Sequence, residues 1–132
     1  MSAWRRQALI ELPELRVCIE QARTPMALWI ELKLAFDEAV RRKDASSIRR
    51  TLRFADWCCS DRSGRLPNDA STAAVCAFYE HLPDDRTCWH RFSEWFFPHE
   101  FERLLPIFAF HLSAPDLEIL KSAYAQGRDQ LV

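Results

Sequence analysis

Histidines and cysteines are the residues of this 132-residue chain that could bind a metal ion or take part in nucleophilic catalysis. The densest group comprises His81, Cys88, His90 and His99, which could bind a metal ion or supply a Cys–His nucleophile. Zinc ligands usually occur in CxxC or HxxxH pairs, and neither spacing occurs in the sequence. We therefore expect no catalytic residue, no metal and no cofactor. A metal protein or enzyme that uses these four residues is kept as an alternative.

Composition excludes several further chemistries. The only glycines are Gly64 and Gly127, so glycine-rich phosphate loops, dinucleotide-binding turns and nucleophile elbows have no sequence basis. The N-terminal residues lack the apolar core of a signal peptide, and no apolar run approaches the ~20 residues that span a bilayer. Five cysteines, an odd number without CxxC spacing, indicate reduced thiols and a cytoplasmic location. We expect no membrane partner.

A basic stretch is the most distinctive feature of the first half. It consists of Arg41, Arg42, Lys43, Arg49, Arg50 and Arg53. On a helical wheel Trp57 falls on the face that carries Arg50 and Arg53. The interpretation we favour is an indole buried under a neighbouring helix and covered by arginine stems. The functional interpretation is an exposed patch with the composition of a binding hot spot.

The charge of the chain is unevenly distributed. Residues 1–66 hold 13 Lys and Arg against 9 Asp and Glu, whereas residues 67–132 hold 5 against 10. This asymmetry could favour head-to-tail self-association or an oriented protein partner. It is too weak to imply nucleic acid, so nucleic-acid binding through the basic stretch is kept as a second alternative.

The elements that must position these residues are helices, because apolar periodicity is helical throughout. Thr24 and Pro25 predict the start of the longest helix, over roughly residues 25–43. Ile30 and Leu34 lie outside its predicted core face. Either this helix is central and packed on both sides, which we favour, or these two residues contact another protein chain.

Capping residues and breakers predict the other helices. We expect a helix from Ser46 or Ser47, a loop over residues 60–69, helix caps at Asp69 or Ser71 and at Asp84 or Asp85, and a stop at Pro83. The predicted inward positions of the Ser46 helix are Ile48, Leu52, Ala55 and Cys59. Pro106 should kink or split a helix over 99–112, Ser113 should cap the last helix, and Gly127 should follow its end.

The resulting fold prediction is an all-α chain of about seven antiparallel helices. It forms either a globular bundle or HEAT-like helical hairpins. Since no linker interrupts the pattern, we expect one domain over residues 1–132, with a frayed N-terminus over 1–7.

Four short segments resemble a family of small bacterial all-helical proteins of unknown function. They are Leu12-Pro-Glu-Leu15, Leu28-Trp-Ile-Glu-Leu32, Leu52-Arg-Phe-Ala-Asp-Trp57 and Phe78-Tyr-Glu-His-Leu82. The resemblance covers about residues 8–125, but the family's acidic, histidine-containing start of the long helix is replaced here by residues 24–29. It implies a bacterial cytosolic origin and an interaction role, similar to the immunity proteins encoded beside toxins.

The function we favour is therefore a non-catalytic protein–protein interaction module, an immunity-like or regulatory partner. The candidate interaction residues are Arg50, Arg53, Trp57, Ile30 and Leu34. The partner is an unknown protein or a second copy of the chain.

Overall fold

The computed structural model describes residues 1–63 and 69–131. Over these residues the chain forms eight α-helices, which are joined by short 3-10 turns. The described residues contain no strand, so the all-α prediction is confirmed. None of the described helices is long and apolar enough to cross a bilayer. Contacts divide the chain into two compact units, residues 1–78 and 79–132, which we describe one after the other. The single domain stays a prediction.

The described residues of the first unit form five helices. They are α1 (Ala3–Glu11), α2 (Arg16–Gln21), α3 (Pro25–Arg42), α4 (Ala45–Cys58) and α5 (Ala70–Ala77), with 3-10 turns at Pro13–Leu15 and Asp61–Ser63. Helix α1 begins at Ala3, within the segment expected to be frayed, and the fraying itself stays a prediction. The Arg5 guanidinium connects α1 to the end of α2, because it donates to the carbonyl oxygens of Ile19 (3.4 Å) and Ala22. Of the predicted loop, residues 64–68, including Gly64 and Pro67, lie outside the described residues.

Side-chain caps determine where α3 and α4 begin. Thr24 Oγ1 accepts the amide of Ala27 at 3.1 Å, which confirms the predicted start of α3. At its other end Lys43 takes a left-handed conformation, with φ of 58°, and terminates the helix. The Asp44 carboxylate then accepts the Ser47 amide at 3.2 Å, and α4 begins at Ala45, close to the predicted start near Ser46 or Ser47.

An aromatic stack forms the core of the first unit. The indole of Trp29 lies parallel to Phe54, with ring centroids 5.3 Å apart, and contacts Phe78 at 4.9 Å. All three side chains are essentially fully buried. The stack therefore joins α3, α4 and the residue that follows α5.

The buried face of α4 differs from the predicted one. Ile48 and Ala55 are buried as expected, but Leu52 is only half-buried and Cys59 is exposed. The buried row continues instead through Thr51, Phe54 and Cys58. At 3.6 residues per turn, Cys58 lies below Ala55 and Phe54, whereas Cys59 has rotated past that face.

The second unit contains α6 (Phe92–Trp95), α7 (Pro98–Phe108) and α8 (Ala114–Gln130). Its 3-10 turns span Tyr79–Asp84, Arg86–Arg91 and Ala109–His111. Its core is mainly aromatic and consists of Tyr79, Leu82, Trp89, Phe92, Phe96, Phe101, Leu104, Phe108, Leu120 and Tyr124. The indole N–H of Trp89 donates to the carbonyl oxygen of Pro83 at 2.8 Å, and Tyr124 Oη donates to the carbonyl oxygen of Phe96 at 2.8 Å.

Two breaker predictions are corrected in this part of the chain, and a third in part. The helix expected to stop at Pro83 has already ended at Ala77, and Pro83 lies inside the following 3-10 turn. Helix α7 is not split at Pro106 but continues to Phe108, and a kink at Pro106 stays a prediction. Helix α8 continues through Gly127 to Gln130, so this glycine does not follow the helix end. It permits close packing instead, since a Cβ atom there would lie 2.2 Å from Ser93 Oγ.

Candidate functional site

The two arginines of the predicted patch are held by carboxylates of the first unit. Arg50 Nη1 donates to both carboxylate oxygens of Glu14, at 2.7 and 2.8 Å, and to the carbonyl oxygen of Glu11 at 2.9 Å. Arg53 Nε donates to the Glu11 carboxylate at 3.0 Å. Both guanidinium groups therefore connect α4 to the end of α1 and the turn that follows it.

Trp57 is half-buried, so its exposure lies between those of the buried indole and the exposed patch considered from the sequence. Its ring lies parallel to that of Phe54, with centroids 6.0 Å apart and 13° between the planes. The guanidinium groups of Arg50 and Arg53 are already engaged by glutamates. They are therefore not both available to a ligand that would bind beside Trp57. The indole extends the internal aromatic stack toward the surface.

We expect Trp57→Ala to lower the free energy of unfolding by about 0.5–3 kcal/mol, the ordinary range for point substitutions. A fully buried aromatic would cost about 3–5 kcal/mol, but Trp57 keeps part of its ring in water. Urea denaturation followed by circular dichroism measures the change. A loss at or above the value for a fully buried ring would show that the indole is enclosed, contrary to its half-buried position.

Ile30 and Leu34 are exposed, with 53% and 61% of their surface accessible. The favoured expectation that α3 is packed on both sides is therefore wrong. The helix buries one face, formed by Leu28, Trp29, Leu32, Phe36 and Ala39, against the rest of the first unit. Ile30 and Leu34 project from the opposite side because each is rotated away from that row.

These two residues belong to a longer exposed row, which we call the α3 stripe. Its members are Ala27, Ile30, Leu34, Asp37 and Arg41, all exposed. Their spacing alternates between three and four residues, as in the contact positions of a coiled coil. The stripe is apolar at its N-terminal end and charged at its C-terminal end.

Ion pairs partly neutralise the charged end of the α3 stripe. Lys33 Nζ lies 2.7 Å from Asp37 Oδ1. Glu38 pairs with both Arg41 and Arg42, the latter at 2.9 Å. One carboxylate is therefore shared by two guanidinium groups, so the net charge at this end of the helix is positive.

The alternative of nucleic-acid binding depends on the same basic stretch. Four of its six side chains are engaged by carboxylates of the chain, since Arg41 and Arg42 share Glu38, Arg50 pairs with Glu14 and Arg53 with Glu11. Those carboxylates reduce the positive potential that would attract phosphates. Lys43 and Arg49 are also exposed. Nucleic-acid binding stays a prediction.

The group His81, Cys88, His90 and His99 does not assemble into a metal site. Among residues 1–63 and 69–131, the structure contains no group of three or more His, Cys, Asp or Glu side chains that could hold a metal ion. Burial, and then the negative charge of Asp85, raise the pKa of the Cys88 thiol. A nucleophilic cysteine needs the opposite shift.

A histidine pair that the sequence did not indicate lies in the second unit. The rings of His81 and His111 stack with centroids 5.0 Å apart. His81 Nδ1 lies 2.8 Å from the Asp84 carboxylate and His111 Nε2 lies 3.3 Å from that of Glu80. A carboxylate that orients an imidazole is also found in general-base catalysis. The spacing of His81 and Asp84 could have indicated one half of this cluster, but nothing local connects either residue to His111.

No family model, no curated protein and no solved structure matches the chain. The resemblance to small bacterial helical proteins therefore depends on the four quoted segments alone.

Proposed function

We propose that this chain is a non-catalytic protein-interaction module that binds its partner through the α3 stripe. The observation that carries the proposal is the exposure of more than half of both Ile30 and Leu34 on one face of α3. Full burial of an aliphatic side chain of this size contributes about 1.5–3 kcal/mol, and each of the two residues still has more than half of its surface to bury, so the pair can supply the centre of an interface.

The anchoring of α3 supports the same role. Its inner face is anchored by buried Leu28, Trp29 and Phe36, and Thr24 caps its N-terminus. The outer residues are therefore presented on a helix that is already ordered. Binding to a preformed surface avoids the free-energy cost of ordering the backbone.

The proposal includes a cytoplasmic location and an immunity-like or regulatory role. The five cysteines carry thiols rather than disulfides, which suits a reducing compartment. The role follows from the resemblance to small bacterial helical proteins. A toxin gene beside the gene for this chain would favour the immunity-like role over the regulatory one.

Site-specific photo-crosslinking in living cells tests the proposal. A photoreactive amino acid at Leu34 should give an adduct of one discrete mass, and the same probe at exposed Thr72 on α5 serves as the matched control. The purified partner should then bind the full chain, and Leu34→Asp should weaken that binding at least about 30-fold, the scale of a hot-spot residue. Absence of an adduct at position 34, or equal adducts at both positions, would contradict the proposal.

A further inference from the structure

We infer that the partner is an amphipathic helix of a different protein, whose apolar stripe packs on Ile30 and Leu34 and whose acidic residues face Arg41 and Lys43. The inference rests on the proposed function and specifies the chemistry of the partner. The observations that support the inference are the spacing of the α3 stripe, the ion pairs beside it and the exposed charges at the end of α3.

The spacing of the α3 stripe indicates a helical partner. Successive members are three or four residues apart, so they form a nearly straight row along a helix of 18 residues. A second helix with the same apolar spacing matches such a row over several turns. Ile30 and Leu34 would then lie in the apolar seam between the two helices.

Charge indicates that the partner is acidic at one end. Glu38 offsets only one of the two positive charges of Arg41 and Arg42. Lys43 and Arg49, both exposed, add two positive charges at the junction of α3 and α4, of which the exposed Asp44 offsets one, so the junction stays positively charged. Acidic side chains beside this junction would complement it and orient the bound helix.

The same charges disfavour a second copy of this chain as the partner. A parallel pair of α3 helices in register would place Asp37 against Asp37 and Arg41 against Arg41. An antiparallel pair with Ile30 opposite Leu34 would bring Glu31 near Glu31 and Lys33 near Lys33. Like charges at these positions destabilise both arrangements.

Two designed helical peptides test the inference with the purified full chain. Both carry leucines at alternating spacings of three and four residues, and one has glutamates where the other has lysines. By fluorescence anisotropy at low salt, the glutamate peptide should bind at least about 10-fold more tightly than the lysine peptide. Leu34→Asp should weaken its binding at least about 10-fold, and Arg41→Glu combined with Lys43→Glu should abolish the preference. Lys121→Glu on α8 is the control charge change and should leave the preference intact.

The outcomes separate this inference from the proposed function. Equal binding of both peptides, no binding of the glutamate peptide, or a preference insensitive to the Arg41 and Lys43 substitutions overturns the inference. It is also overturned if sedimentation shows a dimer that Leu34→Asp dissociates. In each case a discrete adduct at position 34 would leave the proposed function standing. The proposed function itself fails only if that adduct is missing or not specific to position 34.

Discussion

Replacing Trp29 with alanine is expected to cost about 3–5 kcal/mol of folding free energy, as truncation of large core aromatics does. The indole is fully buried and lies against Phe54 and Phe78, so alanine would leave a cavity bounded by two aromatic rings. Chemical denaturation monitored by circular dichroism measures the loss. Leu34→Ala is the matched control on the same helix and should change stability by no more than about 0.5 kcal/mol, because its side chain is exposed.

A second variant keeps this prediction testable if the alanine variant does not fold. The indole N–H of Trp29 faces the buried thiol of Cys58, a weak acceptor, and makes no full hydrogen bond. Burial raises the pKa of that thiol to about 12, while the indole N–H beside it acts in the opposite direction. Trp29→Phe removes the poorly satisfied N–H and retains an aromatic ring, so it should cost less than Trp29→Ala. Equal losses for the two variants would contradict the stacking described for Trp29.

Gly127→Ala is expected to lower the free energy of unfolding by about 1–3 kcal/mol, the usual cost of overpacking. Alanine favours a helix interior by roughly 1 kcal/mol over glycine, so helix propensity alone predicts stabilisation. Steric overlap outweighs it, because the new Cβ atom would lie 2.2 Å from Ser93 Oγ and 2.7 Å from Ser93 Cβ. Thermal unfolding of the purified variant should therefore show a lower Tm than that of the parent chain.

A double-mutant cycle isolates the cause of this loss. Ser93→Gly removes both atoms that would overlap with the new methyl group. Combined with Gly127→Ala, it should recover part of the stability lost in the single variant. Ser122→Ala, at an exposed position of α8, is the control. A stabilising Gly127→Ala, or strict additivity of the two changes, would show that α8 and Ser93 are not in close contact.

Helix starts were the most predictable features of this chain, because a cap is a local interaction. Thr24, Asp69 and Ser113 each accept an amide three residues ahead, at 3.1, 3.0 and 3.2 Å, and their side chains identify them without knowledge of the fold. The cap at Ser113 is accompanied by a contact that no local pattern indicates. The Asp116 carboxylate also pairs with Arg86, a partner 30 residues away along the chain.

Features that depend on distant contacts could not be predicted from the sequence. Gly127 has the residue type of a helix terminator, and only the approach of Ser93 explains why it lies inside α8. The stacking of His81 on His111 requires two separate turns to meet. The exposure of Ile30 and Leu34 was equally hidden, because aliphatic residues outside a core face fit both a buried central helix and a surface helix.

The separation of α3 into a buried face and an exposed stripe has an evolutionary consequence. Substitutions at Trp29 or Phe36 would be removed by selection for folding, whatever the chain binds. Ile30 and Leu34 escape that constraint, since folding requires neither to be aliphatic. If lineages related to this chain retain aliphatic residues at both positions while neighbouring exposed sites drift, the retention reflects selection for binding alone. Co-inheritance of each stripe variant with one form of a partner gene would then mark a pair of proteins that evolve together.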